Sequence, residues 1–181
     1  MEFQNKLKSF KAKLDKLNSF ANQIESIAQL IKNCLKKNKV YIIGNGGSAA
    51  DSQHFAAEII VRYKKNRSPL PAVALTTDSS ILTAISNDYS FDEVFSRQLE
   101  GLLEEKDVLF AFSTSGESKN IINAVNFANS VNATTISLTG NSKNTISEIS
   151  QNCIQCPSNE TDEIQTMHQI IYHYICEKIE M

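Results

Sequence analysis

The chain has 181 residues, enough for one compact core with an additional helix and too few for two independent domains. Its apolar content of 41% and charged content of 21% are those of an ordinary globular protein, and no apolar run approaches the roughly 20 residues needed to span a bilayer. A net charge of −2 and a pI near 5.9 exclude a surface built to neutralise many nucleic-acid phosphates.

From the N-terminus, MEFQNKLKSFKAKLDKL is charged throughout and lacks the apolar centre of a secretion signal, so a cytoplasmic location is expected. Apolar residues then recur at Phe3, Leu7, Phe10, Leu14, Leu17, Ala21, Ile24, Ala28, Ile31 and Leu35, in steps of four and three. That spacing predicts a long helical seam over residues 3–35. A narrow seam flanked by lysines suits packing against another subunit, so residues 1–37 are read as a helical oligomerisation segment.

Beyond Lys39 the pattern changes to short apolar runs at 40–44, 72–75, 108–112, 135–138 and 153–156. Helical stretches are read at about 48–63, 91–104, 119–130, 144–150 and 162–179. Strand and helix in alternation predict a five-stranded parallel sheet covered on both faces, a three-layer α/β/α sandwich over residues 38–181. In such a sheet, ligands sit beyond the carboxyl ends of the strands. Cys153 and Cys156 lie three apart on the last predicted strand and so point to opposite faces. With Cys34 and Cys176 they are read as unpaired thiols rather than as a metal knuckle.

Two loops have the chemistry of an anion site. The first run feeds directly into Gly44-Asn45-Gly46-Gly47-Ser48, with Ser48 and Asp51 at the spacing of a capping box. Glycines admit a ligand to the main chain, and a helix N-terminus stabilises negative charge. The third run feeds into Ser113-Thr114-Ser115-Gly116-Glu117-Ser118, where four hydroxyls in six residues exceed what a helix cap requires. Together they point to a phosphate monoester held without lysine.

Two helices carry matched polar stripes. Asp51, His54, Glu58 and Arg62 fall within about 80° of one another around a helix that is otherwise small or apolar. The last helix repeats the offsets with Asp162, Gln165, Gln169 and His173, opposite Ile164, Met167, Ile171 and Ile175. His54 and Glu58, one turn apart, have the spacing of two metal ligands or of a coupled acid and base. The two stripes are read as walls of one active site.

The stretches GNGGSAADSQHFAAE, NDYSFDEVFSRQ, STSGES, ISLTG and DEIQTMHQIIYH resemble those of the bacterial phosphoheptose isomerases, a branch of the sugar isomerase (SIS) family. The resemblance runs from about residue 20 to the C-terminus and implies a single flavodoxin-like SIS domain over 1–181. It also implies conversion of sedoheptulose 7-phosphate to D-glycero-D-manno-heptose 7-phosphate, for lipopolysaccharide or capsule, with no redox cofactor. On the matching positions it makes Glu58 the general base and His173 its acid/base partner. Ser48, Ser113, Thr114, Ser115 and Ser118 would hold phosphate, Asp88, Asp162 and Gln165 would contact the sugar, and Asn45, Gly46, Gly47 and Asn87 would also bind substrate. Arg62 would orient substrate or Glu58, and His54, Glu58, Gln165 and His173 would bind zinc. A homotetramer with sites at subunit interfaces is implied as well. The same fold also serves as a non-catalytic tetramer that binds a replication initiator protein, an alternative that TTDSSILTAISND would suit but that has no use for Glu58 and His173 together.

Overall fold

The computed structural model describes residues 1–181. Its elements in chain order are α1 (Glu2–Asp15), α2 (Ala21–Cys34), β1 (Val40–Ile43), α3 (Gly47–Ile60), β2 (Ala72–Ala74), α4 (Ser79–Asp88), α5 (Ser96–Leu102), β3 (Val108–Ser113), α6 (Lys119–Ser130), β4 (Thr134–Thr139), α7 (Thr145–Ile149), β5 (Asn152–Gln155) and α8 (Thr161–Ile179). All five expected strands form. They pair in parallel in the order β2-β1-β3-β4-β5. The chain order reverses between β1 and β3, so the crevice of this doubly wound sheet opens between the loops that follow those two strands.

Alternation along the strands divides the core in two. Val40, Ile42, Val108, Phe110 and Phe112 face α2, α3 and α8, where they meet Ile27, Ile31, Phe55, Ile59, Met167, Tyr172 and Ile175. Tyr41, Ile43, Leu109 and Ala111 face the other layer, against Ile85 of α4, Leu99 of α5, Ile121 and Val125 of α6, and Ile146 of α7. Strands buried on both sides read as continuous apolar runs, which is why β1 and β3 were legible without alternation.

Several details differ from the sequence reading: the helix expected at 91–104 is a 3-10 turn over Phe91–Glu93 followed by the short α5. The N-terminal helical seam is interrupted by a 3-10 turn over Lys16–Phe20, where Ser19 Oγ turns back to the Lys16 carbonyl. An additional helix, α4, is capped by Asp78, whose carboxylate accepts from the Ile81 N–H at 3.0 Å. The expected capping box is absent: α3 starts two residues earlier than its spacing requires, with Gly46 at the N-cap. Ser48 is then inside the first turn, buried, with its carbonyl bonded by Ser52 Oγ at 2.8 Å.

All four cysteines are free, with Cys156 and Cys176 in the core and Cys34 and Cys153 partly buried. No helix is long and apolar enough to cross a membrane.

The C-terminal residues hold the end of α3. Glu180 accepts from the backbone N–H groups of Tyr63, Lys64 and Lys65 at 2.7, 2.8 and 2.8 Å. Arg67 forms an ion pair with it at 3.3 Å and donates through Nη2 to the Glu58 carbonyl at 3.0 Å. Burial raises the Glu180 pKa, but the three N–H donors and Arg67 outweigh it and bring the carboxyl down to about 2. A depressed carboxyl contributes stability above its ordinary value of 4.5, and that contribution fades as pH falls toward 2. Glu180→Gln is therefore expected to lower stability at pH 7 by about 2 kcal/mol. It should also flatten the loss of stability with acid below that ordinary value, as read by urea unfolding at a series of pH values.

Candidate active site

Loop β1–α3 and loop β3–α6 meet across the crevice. Gly46 has φ 55°, a left-handed conformation that glycine takes without strain. A Cβ at Gly47 would lie 2.3 Å from Gln165 Nε2, so only glycine lets the α8 side chain approach the loop this closely. Asn45 and Asn120 exchange two amide hydrogen bonds, at 2.8 and 2.9 Å, which tie the first loop to α6. Asn45 thus spends its amide on the scaffold. Asn120, buried and absent from the sequence reading, shares that role.

The serine loop is prepared as a donor surface. Ser113 Oγ accepts from Gly116 N–H at 3.1 Å, and Ser115 Oγ accepts from Glu117 N–H at 3.2 Å. Each hydroxyl oxygen is occupied from the main chain, so its hydrogen remains available to an external acceptor. Asn45, Ser48, Ser113, Thr114, Ser115 and Ser118 line one small cleft with Phe112. A second cleft of about 270 Å³ adjoins it across Thr114 and Ser115, lined also by Ser142, Asn159 and Thr161.

Further along, α3 and α8 bring their polar stripes together. Gln169 Nε2 donates to Asp51 Oδ1 at 3.1 Å, while Asp51 Oδ2 is buried without a partner. Burial raises the Asp51 pKa against the opposing effects of Gln169, His54 and His173. His54 Nε2 lies 3.0 Å from Glu58 Oε1, and the His54 and His173 rings meet edge-on with centroids 5.0 Å apart. Ligand atoms of His54, Glu58 and His173 lie within 4.8 Å of one another. Burial, and then the neighbouring His54, lower the His173 pKa and favour its neutral ring, on which Tyr63 stacks at 5.6 Å and 17°. Two imidazoles and a carboxylate are the donor set of a zinc site with a position left open, so these residues fit that ion.

Several expected site residues stand elsewhere in the chain. Arg62 does not extend the α3 stripe, because the helix ends at Ile60 and the Glu180 contacts turn the following residues outward; Arg62 is exposed. The arginine that reaches Glu58 is Arg67, by way of its carbonyl, a contact with no helical spacing to signal it. Gln165 lies against Gly47, about 10 Å along α3 from His54, and so is apart from the other three expected zinc ligands. Asn87 and Asp88 close α4, both exposed, with Asn87 Nδ2 donating to Asp88 Oδ1 at 2.8 Å rather than to either loop. Asp162 is exposed and ion-paired with Lys6 of α1 at 2.6 Å.

The family model for the SIS domain matches residues 4–140. The chain is 48% identical to the phosphoheptose isomerase of Akkermansia muciniphila over 165 residues, covering 91% of this chain and 87% of that protein. It is 46% identical to that of Aquifex aeolicus over 173 residues, covering 95% and 91%. The solved phosphoheptose isomerase of Neisseria gonorrhoeae superposes with a TM-score of 0.91 at 37% identity, over 99% of this chain and 97% of that one. With its phosphate-type loops and its carboxylate–imidazole cluster joined on one doubly wound sheet, the chain belongs to the SIS-domain family, in its phosphoheptose isomerase branch.

Proposed function

We propose that the protein interconverts D-sedoheptulose 7-phosphate and D-glycero-D-manno-heptose 7-phosphate by proton transfer through an enediol, without a redox cofactor. The observation that carries this reading is the meeting of Glu58 and His173, from two different helices, at a cluster that shares α3 with the phosphate-type loops. Glu58 lies ten residues after Ser48, about 15 Å along the helix axis. A phosphate anchored at one end of α3 and a reacting carbon near the other suit a long, extended sugar.

In this reading Asn45, Gly46 and Gly47 shape the loop, and Ser48, Ser113, Thr114, Ser115 and Ser118 hold the phosphate. Glu58 Oε1 is the oxygen turned toward His54 Nε2, which leaves Oε2 as the base that takes the proton from C1. The same carboxyl returns a proton to C2, and His173, held largely neutral, moves the proton between the two oxygens. His54, Glu58 and His173 would hold a zinc ion; bound there it would supply Lewis acidity toward the substrate oxygens. Gln165, beside Gly47, is assigned to the sugar rather than to the metal, and Asp162 would contact the sugar on leaving its ion pair with Lys6.

The protein is further proposed to work in the cytoplasm as a homotetramer, feeding activated heptose to lipopolysaccharide or capsule synthesis. Residues 1–37 would form the oligomerisation segment and residues 38–181 the sandwich of a single SIS domain. Support for assembly comes from the exposed Phe3, Leu7 and Ile170 and from an apolar groove between Leu17, Ala21, Ile24 and Tyr174. Arg62, Asn87 and Asp88, exposed and away from the cluster in one chain, are the residues a neighbouring copy would bring to it. The non-catalytic scaffold reading is not favoured, given the identity to phosphoheptose isomerases.

Turnover of sedoheptulose 7-phosphate, followed by NMR, is expected in the wild type and should fall at least roughly 100-fold in Glu58→Gln and in His173→Ala; a folded wild type without turnover contradicts the isomerase reading. Stripping metal with a chelator should abolish turnover and zinc should restore it, whereas full activity in verified metal-free protein removes the metal from the mechanism. Light scattering at micromolar concentration should give four times the 20.2 kDa chain mass, and a monomer would remove the shared site.

A further inference from the structure

Tyr172 has no part in the roles assigned above. Its ring is fully buried, stacked on Phe55 with centroids 5.3 Å apart at 27° and meeting Phe112 edge-on at 5.9 Å. The core alone therefore fixes the ring, and phenylalanine would fill the same space. The hydroxyl is what phenylalanine lacks, and it lies 2.9 Å from His54 Nδ1. On the other side of that imidazole, Nε2 faces Glu58 Oε1 at 3.0 Å. His173, the next residue of α8, packs against both rings, 4.5 Å from Tyr172 and 5.0 Å from His54.

The hydrogen count gives this contact a purpose. A neutral imidazole has one N–H, and an ionised carboxylate only accepts. For a neutral His54 beside an ionised Glu58 the hydrogen count puts the proton on Nε2, toward Glu58, with Nδ1 accepting from the Tyr172 hydroxyl. When Nε2 gives its lone pair to a cation, the proton must be on Nδ1, and Tyr172 Oη becomes the acceptor. A phenol serves in both directions because it is donor and acceptor at once. We infer that Tyr172 is a positioning residue that hydrogen-bonds His54 Nδ1 in either tautomer and so keeps Nε2 aimed at the Glu58–His173 cluster, before and after a divalent cation binds. The cation part rests on the zinc reading proposed above; the orientation of the metal-free ring does not.

The test compares wild type with Tyr172→Phe, which retains the buried ring. Zinc is titrated into metal-free protein against a competing chelator, and the imidazole nitrogens are followed by ¹⁵N NMR, where the chain's three histidines make assignment tractable. Zinc affinity should drop about 10- to 100-fold in the variant, the range for loss of a partner behind a metal-bound histidine. In the metal-free state the wild-type proton should be on Nε2, and the His54 Nδ1 resonance should move in the variant while circular dichroism stays unchanged. Equal zinc affinity together with an unmoved Nδ1 resonance overturns the inference. A wild type that binds no zinc defeats the zinc reading, and the nitrogen resonances then decide on Tyr172 alone.

Discussion

The packing of α3 on α8 is the contact on which the rest of this molecule depends. Beneath it lies an aromatic floor in which Phe55 meets Phe110, Phe112 and Tyr172 at centroid distances of 5.1, 6.4 and 5.3 Å. Above the floor the two helices meet through polar groups rather than apolar ones: Gln165 against Gly47, Gln169 on Asp51, Tyr172 on His54 and His173 beside His54. Burying such groups is unfavourable unless each finds a partner, so the register between the helices is set by hydrogen bonds as well as by shape. Asp51 Oδ2 is the atom of this polar seam left buried without a partner.

That packing also links the two functions of α3. Its N-terminus rises from the β1 loop at the point where the strand order reverses, so it faces the crevice where an anion is best accommodated. Its later turns present His54 and Glu58. In the proposed reaction this one rigid helix would fix the separation between the phosphate end and the proton-transfer end of the substrate, and Glu180 and Arg67 hold its C-terminal end against fraying. Reactive groups carried on rigid elements keep their geometry more closely than groups on free loops.

Much of this was legible in the sequence because periodicity and loop chemistry are local. Runs such as VYII and VLFAFS announce strands buried on both faces, and the two stripes at offsets of 0, 3, 7 and 11 identified the helices that meet. What was lost is what depends on where a helix ends or on contacts distant in sequence. The stripe continued to Arg62 only on the assumption that α3 did, and the residues that end it, Glu180 and Arg67, are 117 and nine positions away from their backbone partners Tyr63 and Glu58. Asn120 and Tyr172 were invisible for another reason: each sits where an ordinary core or helix residue would, and only the atom it bonds to gives it a role. The helix α4 was missed because its apolar face is short, although Asp78 before Ser79-Ser80-Ile81 is a usable N-cap signal.

In the proposed reaction a base on α3 moves a proton between adjacent carbons of a bound sugar phosphate. The most direct test is to run the reaction with sedoheptulose 7-phosphate in D₂O and read deuterium by NMR. Deuterium is expected at C2 of the aldose product, or at C1 of the recovered ketose, because a proton held on Glu58 exchanges with solvent before it is returned. Product that forms with no deuterium at either carbon would contradict a proton held in exchange with solvent on Glu58.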